Sequence, residues 1–244
     1  MTRTALRSRF AAPSAVCAAT ALMATLITSA VSGQVGRIPE GFTPIFNGRD
    51  LAGWHPSRTT HHGTTPLCIV ENGVLIMKQN PFGQGGLLMT DKTYTDFELY
   101  LEANPDADFN SGIFLRSTES GSGYQIELVW PGNPGVLIGE RMRVSKPEYI
   151  GPVTDVTTVW KEGQFNSFRI RMVGEAPRMT LWINDTKMWE LQMPKNDQIA
   201  GVYGGQIGLQ LHWTATYSDV SGSGGSNRPW LVQRFRNIAI KELK

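Results

Sequence analysis

From Phe42 onward the chain is written in short alternations of apolar and polar residues, broken by glycine, proline and asparagine. TDFELYLEA sets Phe97, Leu99 and Leu101 against Glu98, Tyr100 and Glu102, and SGIFLRS sets Ile113 and Leu115 against Phe114 and Arg116. Successive side chains of a strand point to opposite faces, so one set belongs to a core and the other to an outer face. YQIELVW, SFRIRMV, GQIGLQLHW and VQRFRNIAIKEL repeat the pattern. No stretch after residue 33 has the 3.6-residue spacing of an amphipathic helix. CIVENGVLIM and LWINDTKMWELQ predict hairpins, because Asn72-Gly73 and Asn184-Asp185 tolerate the positive φ of a tight turn. Many strands joined by glycine-rich links predict an all-β fold, a two-sheet antiparallel jelly-roll sandwich closed by pairing of its first and last strands.

The first 33 residues break this pattern. MTRTALRSRF carries Arg3, Arg7 and Arg9 and no acid, an alanine-rich apolar stretch follows, and small residues close it. That is the build of a secretory signal peptide. The expectation is therefore a leader over 1–33, one sandwich domain over 34–244, and a secreted or periplasmic product. The apolar stretch, interrupted by Pro13 and several hydroxyl residues, is too weak for stable membrane insertion. Its removal takes three arginines and no acid from 23 basic and 21 acidic residues, which leaves about one net negative charge. A nucleic-acid partner then has no electrostatic basis. Only Cys68 remains, which excludes an intrachain disulfide and predicts a buried, inert thiol.

The outer faces are poor in lysine, although solvated faces favour it. YQIEL places Gln125 and Glu127 there, and QIGLQLH places Gln206, Gln210 and His212. Amide, carboxylate, imidazole and guanidinium groups beside Phe114, Trp130 and Trp213 suit a carbohydrate, whose hydroxyls they can bond and whose ring faces indoles can stack on. SDVSGSGGSNRPW reads as a surface insertion, a lid if it lies beside such a site. No nucleophile elbow, phosphate-cradling loop or nucleotide fingerprint is present. The E-x-D-x-x-E cluster of retaining sandwich-fold glucanases is missing too, which weakens Glu127 and Glu140 as a glycosidase pair. His61-His62 is a candidate metal fragment, but neighbours on an extended chain point apart, so SRTTHHGTT reads as a surface loop.

GFTPIFNGRDLAGWH, CIVENGVLIM, DFELYLEANPDADFNSGIFLRS, GYQIELV, FNSFRIRMVGEAPRMTLWIND and FRNIAIKEL, in that order, resemble the 3-keto-disaccharide hydrolase family, also known as domain of unknown function 1080. The resemblance runs from about Phe42 to Leu243. It implies a concanavalin A-like sandwich and action on glycosides whose C3 hydroxyl has been oxidised to a ketone. Such a ketone acidifies the C2 proton, so the chemistry needs a base, an enolate stabiliser and an acid for the departing oxygen.

Under that resemblance His212 is the expected base, Glu127 the second acid/base group, and Arg116 the holder of the enolate or of a hydroxyl pair. Asn110, Gln125 and Gln210 would orient hydroxyls. A divalent metal is a candidate cofactor, with His212 and Glu127 as its ligands. GVLIGERMR resembles a family loop, G-x-L-Y-x-E-x-x-R, that would recruit Glu140 and Arg143, with Ile138 in place of the tyrosine. LQLHW keeps the histidine of the family's L-Q-D-H-G but carries Leu211 for the aspartate. The alternative to an enzyme is a non-catalytic carbohydrate-binding sandwich, which needs the aromatic platform but no base.

Overall fold

The computed structural model describes residues 37–132, 134–145, 149–150, 154–214 and 231–244. The expected leader and the SDVSGSGGSNRPW insertion lie outside the described residues. In chain order the strands begin with β1 (Thr43–Pro44), β2 (Trp54–Pro56), β3 (Leu67–Glu71), β4 (Val74–Lys78) and β5 (Gly86–Tyr94). The middle set is β6 (Phe97–Ala103), β7 (Ser111–Ser117), β8 (Gly123–Leu128), β9 (Leu137–Glu140) and β10 (Tyr149–Ile150). The last are β11 (Asn166–Val173), β12 (Arg178–Ile183), β13 (Thr186–Gln192), β14 (Gly205–Leu211) and β15 (Val232–Glu242). Among the described residues the helical content is two single 3₁₀ turns, at Val156–Thr158 and Ile199–Gly201.

These strands form two antiparallel sheets. One runs β13-β12-β11-β6-β15-β4-β3, with β1 also on β15, and the other runs β10-β9-β8-β7-β14-β5-β2. The first and last strands do pair, Thr43 opposite Ile240. The two sheets share one hydrophobic core, built from the apolar members of each alternation: Phe97, Leu99, Leu101, Phe168 and Ile170 from one, and Ile113, Leu115, Ile126 and Leu209 from the other. Burial of each such side chain contributes about 1.5–3 kcal/mol, which is why the alternation fixes the register so firmly.

Both predicted hairpin turns form, with φ of 51° at Asn72, 49° at Asn184 and 65° at Asp185. A second, small apolar cluster of Leu87, Met89 and Phe114 lies on the opposite face of the second sheet. That face carries the polar residues singled out by the alternation. It is not open surface: Gln125, Glu127, Gln210 and His212 are all buried.

Cys68 is half-buried against the core, and loss of water pushes its thiol up to about 12. An unreactive thiol follows from this, since the thiolate is the reactive form.

Candidate functional site

The centre of the outer face is built on β7, β8 and β14. Gln125 donates from Nε2 to Gln210 Oε1 at 3.1 Å, and Gln210 Nε2 lies 3.2 Å from the ring nitrogens of His62. Asn110 Nδ2 donates to Glu127 Oε1 at 3.2 Å, and Ser111 Oγ donates to the Gln210 carbonyl at 2.7 Å, tying β7 to β14. Gly112 makes this possible, because a methyl there would meet the Gln125 side chain, 2.8 Å from its Cδ. The N-S-G opening of β7 is thus one polar brace across three strands.

His212 follows β14 directly and is 7% exposed. Its Nδ1 lies 2.7 Å from the Trp213 carbonyl. A carbonyl only accepts, so Nδ1 carries the proton and Nε2 is left with its lone pair. Burial pulls the imidazole below its ordinary 6.5, partly opposed by that hydrogen bond. Trp213 stacks on the His212 ring, centroids 5.4 Å apart. Gln79 locks the turn from behind, donating to the His212 carbonyl at 2.7 Å and to Thr214 Oγ1 at 2.9 Å.

The surface-loop expectation for His61-His62 is corrected. His62 is 2% exposed, packed edge-on against Phe114 at 5.9 Å and against His212 at 5.5 Å. The chain here is a turn closed by Gly63 N donating to the Thr60 carbonyl, with Gly63 at φ +109°, so the two rings fall together, 3.9 Å apart. The glycine after the histidine pair is the sequence feature that marks this turn. Burial, reinforced by His61, His212 and Arg141, holds His62 down to about 3. His61 is lowered by burial and then by Arg141.

Glu140, at the end of β9, joins these histidines: its Oε1 lies 3.2 Å from His61 Nε2 and 4.0 Å from His62 Nε2. Burial raises its carboxyl above the ordinary value, and Arg141 partly offsets this. Among the described residues, the group of three that can hold a metal ion is His61, His62 and Glu140, with all ligand atoms within 4.8 Å of one another. The expected ligands His212 and Glu127 are not in it. Arg143 is exposed beyond β9, and the arginine that acts on the cluster is its neighbour Arg141.

Two further expectations are corrected. Arg116 is fully buried but does not face this site. Between Phe114, opposite Gly208, and Ser117, opposite Gln206, β7 holds one residue more than β14. That bulge puts Arg116 at φ 48° and swings it off the alternation. Its Nε donates to the Thr95 carbonyl at 2.6 Å, Nη1 to the Gly174 carbonyl at 2.9 Å, and Nη2 to Asp96 Oδ1 at 2.9 Å. A left-handed residue costs about 1–2 kcal/mol, which charge-assisted bonds of about 1.5–3 kcal/mol each outweigh. Trp130, past the end of β8, stacks on Trp160 at 5.7 Å and lines a different cleft with Asp106, Glu162 and Arg234.

The arrangement offers a neutral imidazole, a braced carboxyl group, two amides and a His-His-Glu cluster on one water-poor face. No curated protein matches the chain. Among solved structures, a candidate glycosyl hydrolase from Parabacteroides distasonis is similar at 19% identity and a TM-score of 0.55, over 84% of this chain and 95% of its own. SCLam, a non-specific endo-beta-1,3(4)-glucanase of family GH16, is similar at 13% and 0.56, over 85% and 93%. The carbohydrate binding module CBM66 from Bacillus subtilis is similar at 10% and 0.51, over 78% and 96%. At these identities the likeness is one of fold. The 3-keto-alpha-glucoside-1,2-lyase-like domain matches residues 41–241, which take in both sheets and every residue of the site just described, and the chain belongs to that family.

Proposed function

We propose that this protein is an exported carbohydrate-active enzyme that cleaves 3-keto-glycosides by elimination and hydration. Membership of the 3-keto-alpha-glucoside-1,2-lyase-like family supports the substrate class. The observation that carries the mechanism is His212, buried, neutral and fixed in one tautomer with Nε2 as its acceptor.

In this reading Nε2 of His212 takes the C2 proton made acidic by the C3 ketone. The C2–H electron pair first passes into the enolate of the C3 ketone and then forms the C1–C2 double bond as the C1–O bond breaks. Glu127, held by Asn110, gives the departing oxygen its proton. Water then adds across the double bond, hydroxyl to C1 and proton to C2, so the net change is hydrolysis. Gln125 and Gln210 hold sugar hydroxyls, and the Leu87, Met89 and Phe114 patch excludes water from the charged intermediate.

The test is release of the aglycone from an aryl 3-keto-glucoside by the purified full-length chain. Release is expected, and His212→Ala should lower it by about 10²–10⁴-fold, the usual contribution of a positioned base. Binding of the ketosugar with no aglycone released overturns the enzyme and leaves the carbohydrate-binding module.

A further inference from the structure

We propose that His61, His62 and Glu140 form a binding site for one divalent first-row transition-metal ion, beside His212. The ligand types suit it: two imidazoles and a carboxylate are the donors of three-ligand catalytic zinc sites, which keep a further position open for water or substrate. The spacing suits it as well. Two ligands about 2.1 Å from one ion stand roughly 3.0 Å apart at right angles and about 3.4 Å apart in a tetrahedron. His61 Nε2 and Glu140 Oε1 are already 3.2 Å apart. His62 Nε2, at 4.0 Å from the same oxygen, needs about 0.6–1.0 Å of approach.

The surroundings support the same assignment. His62 is held in place by its packing against Phe114 and His212, which leaves its ring little freedom to turn away from the cluster. The opposing charge is Arg141, which acts on both histidines and on Glu140.

An ion here would take the role expected of Arg116, which is committed instead to Thr95, Asp96 and Gly174. Resting on the proposed function, the open coordination position would take the C3 ketone oxygen, polarising it while His212 removes the C2 proton.

Equilibrium dialysis of the metal-stripped full-length chain against ZnCl₂, with bound zinc measured by mass spectrometry, tests the site. One zinc per chain is expected, with affinity at least about tenfold weaker in His61→Ala and Glu140→Gln. Both positions are partly exposed, and thermal melts check that the variants fold. If neither folds, Co²⁺ added to the unmodified chain should shift the His61 and His62 ring protons in NMR spectra. Substoichiometric zinc, equal affinity in folded variants, or unshifted ring protons overturns the site. Zinc bound as expected with no aglycone release overturns the proposed function alone. Aglycone release by protein holding no metal overturns the ion's role at the ketone and leaves its binding to the dialysis result.

Discussion

His62 meets His212 edge-on, ring centroids 5.5 Å apart and planes at 63°, although the two arrive from opposite ends of the chain. The contact depends on Gly85. A methyl there would overlap the Leu211 carbonyl oxygen and come within 2.6 Å of the His62 carbonyl oxygen and the Trp213 nitrogen. Backbone on both sides leaves no flexible neighbour to yield. Gly85→Ala should therefore part the two histidines as well as lower the melting temperature. A displacement of about 1 Å commonly costs about 100-fold, so kcat/KM for aglycone release should fall by about that factor.

Gly112→Ala makes a contrasting case. The obstructed neighbour is the end of the Gln125 side chain, which can move. The fold should lose only about 1 kcal/mol, while Gln125 leaves Gln210 and substrate binding weakens. KM should rise more than kcat falls, as measured by steady-state kinetics.

Arg116→Ala removes three hydrogen bonds and leaves Asp96 without its buried partner. The expected cost is about 3–5 kcal/mol, read from the urea unfolding midpoint. Cleavage should fall only as the folded fraction falls, which distinguishes a clasp from a catalytic arginine.

His55 provides a pH signature. It lies 3.0 Å from Glu119 and 2.6 Å from Asp91, and those carboxylates raise it above 6.5, Glu119 foremost, against the pull of partial burial. A raised folded-state pKa gives stability that is complete below the unfolded value and lost as pH rises through the folded one. Relative to His55→Asn, the unmodified protein should lose stability between about pH 6.5 and the alkaline side of the folded pKa. Urea midpoints across that range, together with NMR titration of the His55 ring, provide the measurement.

Cys68 should not react with a disulfide reagent such as dithionitrobenzoate at pH 8 in the folded protein, because its thiol stays protonated up to about 12. On unfolding, the Cys68 thiol should react.

The sheets were legible because period two is a local property: Ile113, Leu115, Ile126 and Leu209 sort to the core by counting alone. The same counting found Gln125, Glu127, Gln210 and His212, since their strands run in phase up to the site. It failed where the phase broke. The extra residue in β7 that turns Arg116 aside is a pairing feature with β14, invisible in either strand separately. His62 was missed because the turn that buries it is held by the close approach of Gly63 to Gly85, a contact between two loops. Trp130 lies just past the end of β8, where alternation no longer says which way an indole points.

Mechanically, β7 is two half-strands out of step. The half from Ser111 to Phe114 shapes the polar wall, and the half beyond carries the rivet that pins Thr95, Asp96 and Gly174 together. Substitutions in the first half can retune what the wall binds without loosening the rivet. Deleting the one extra residue would put both halves in step and set wall and rivet in competition for the same face.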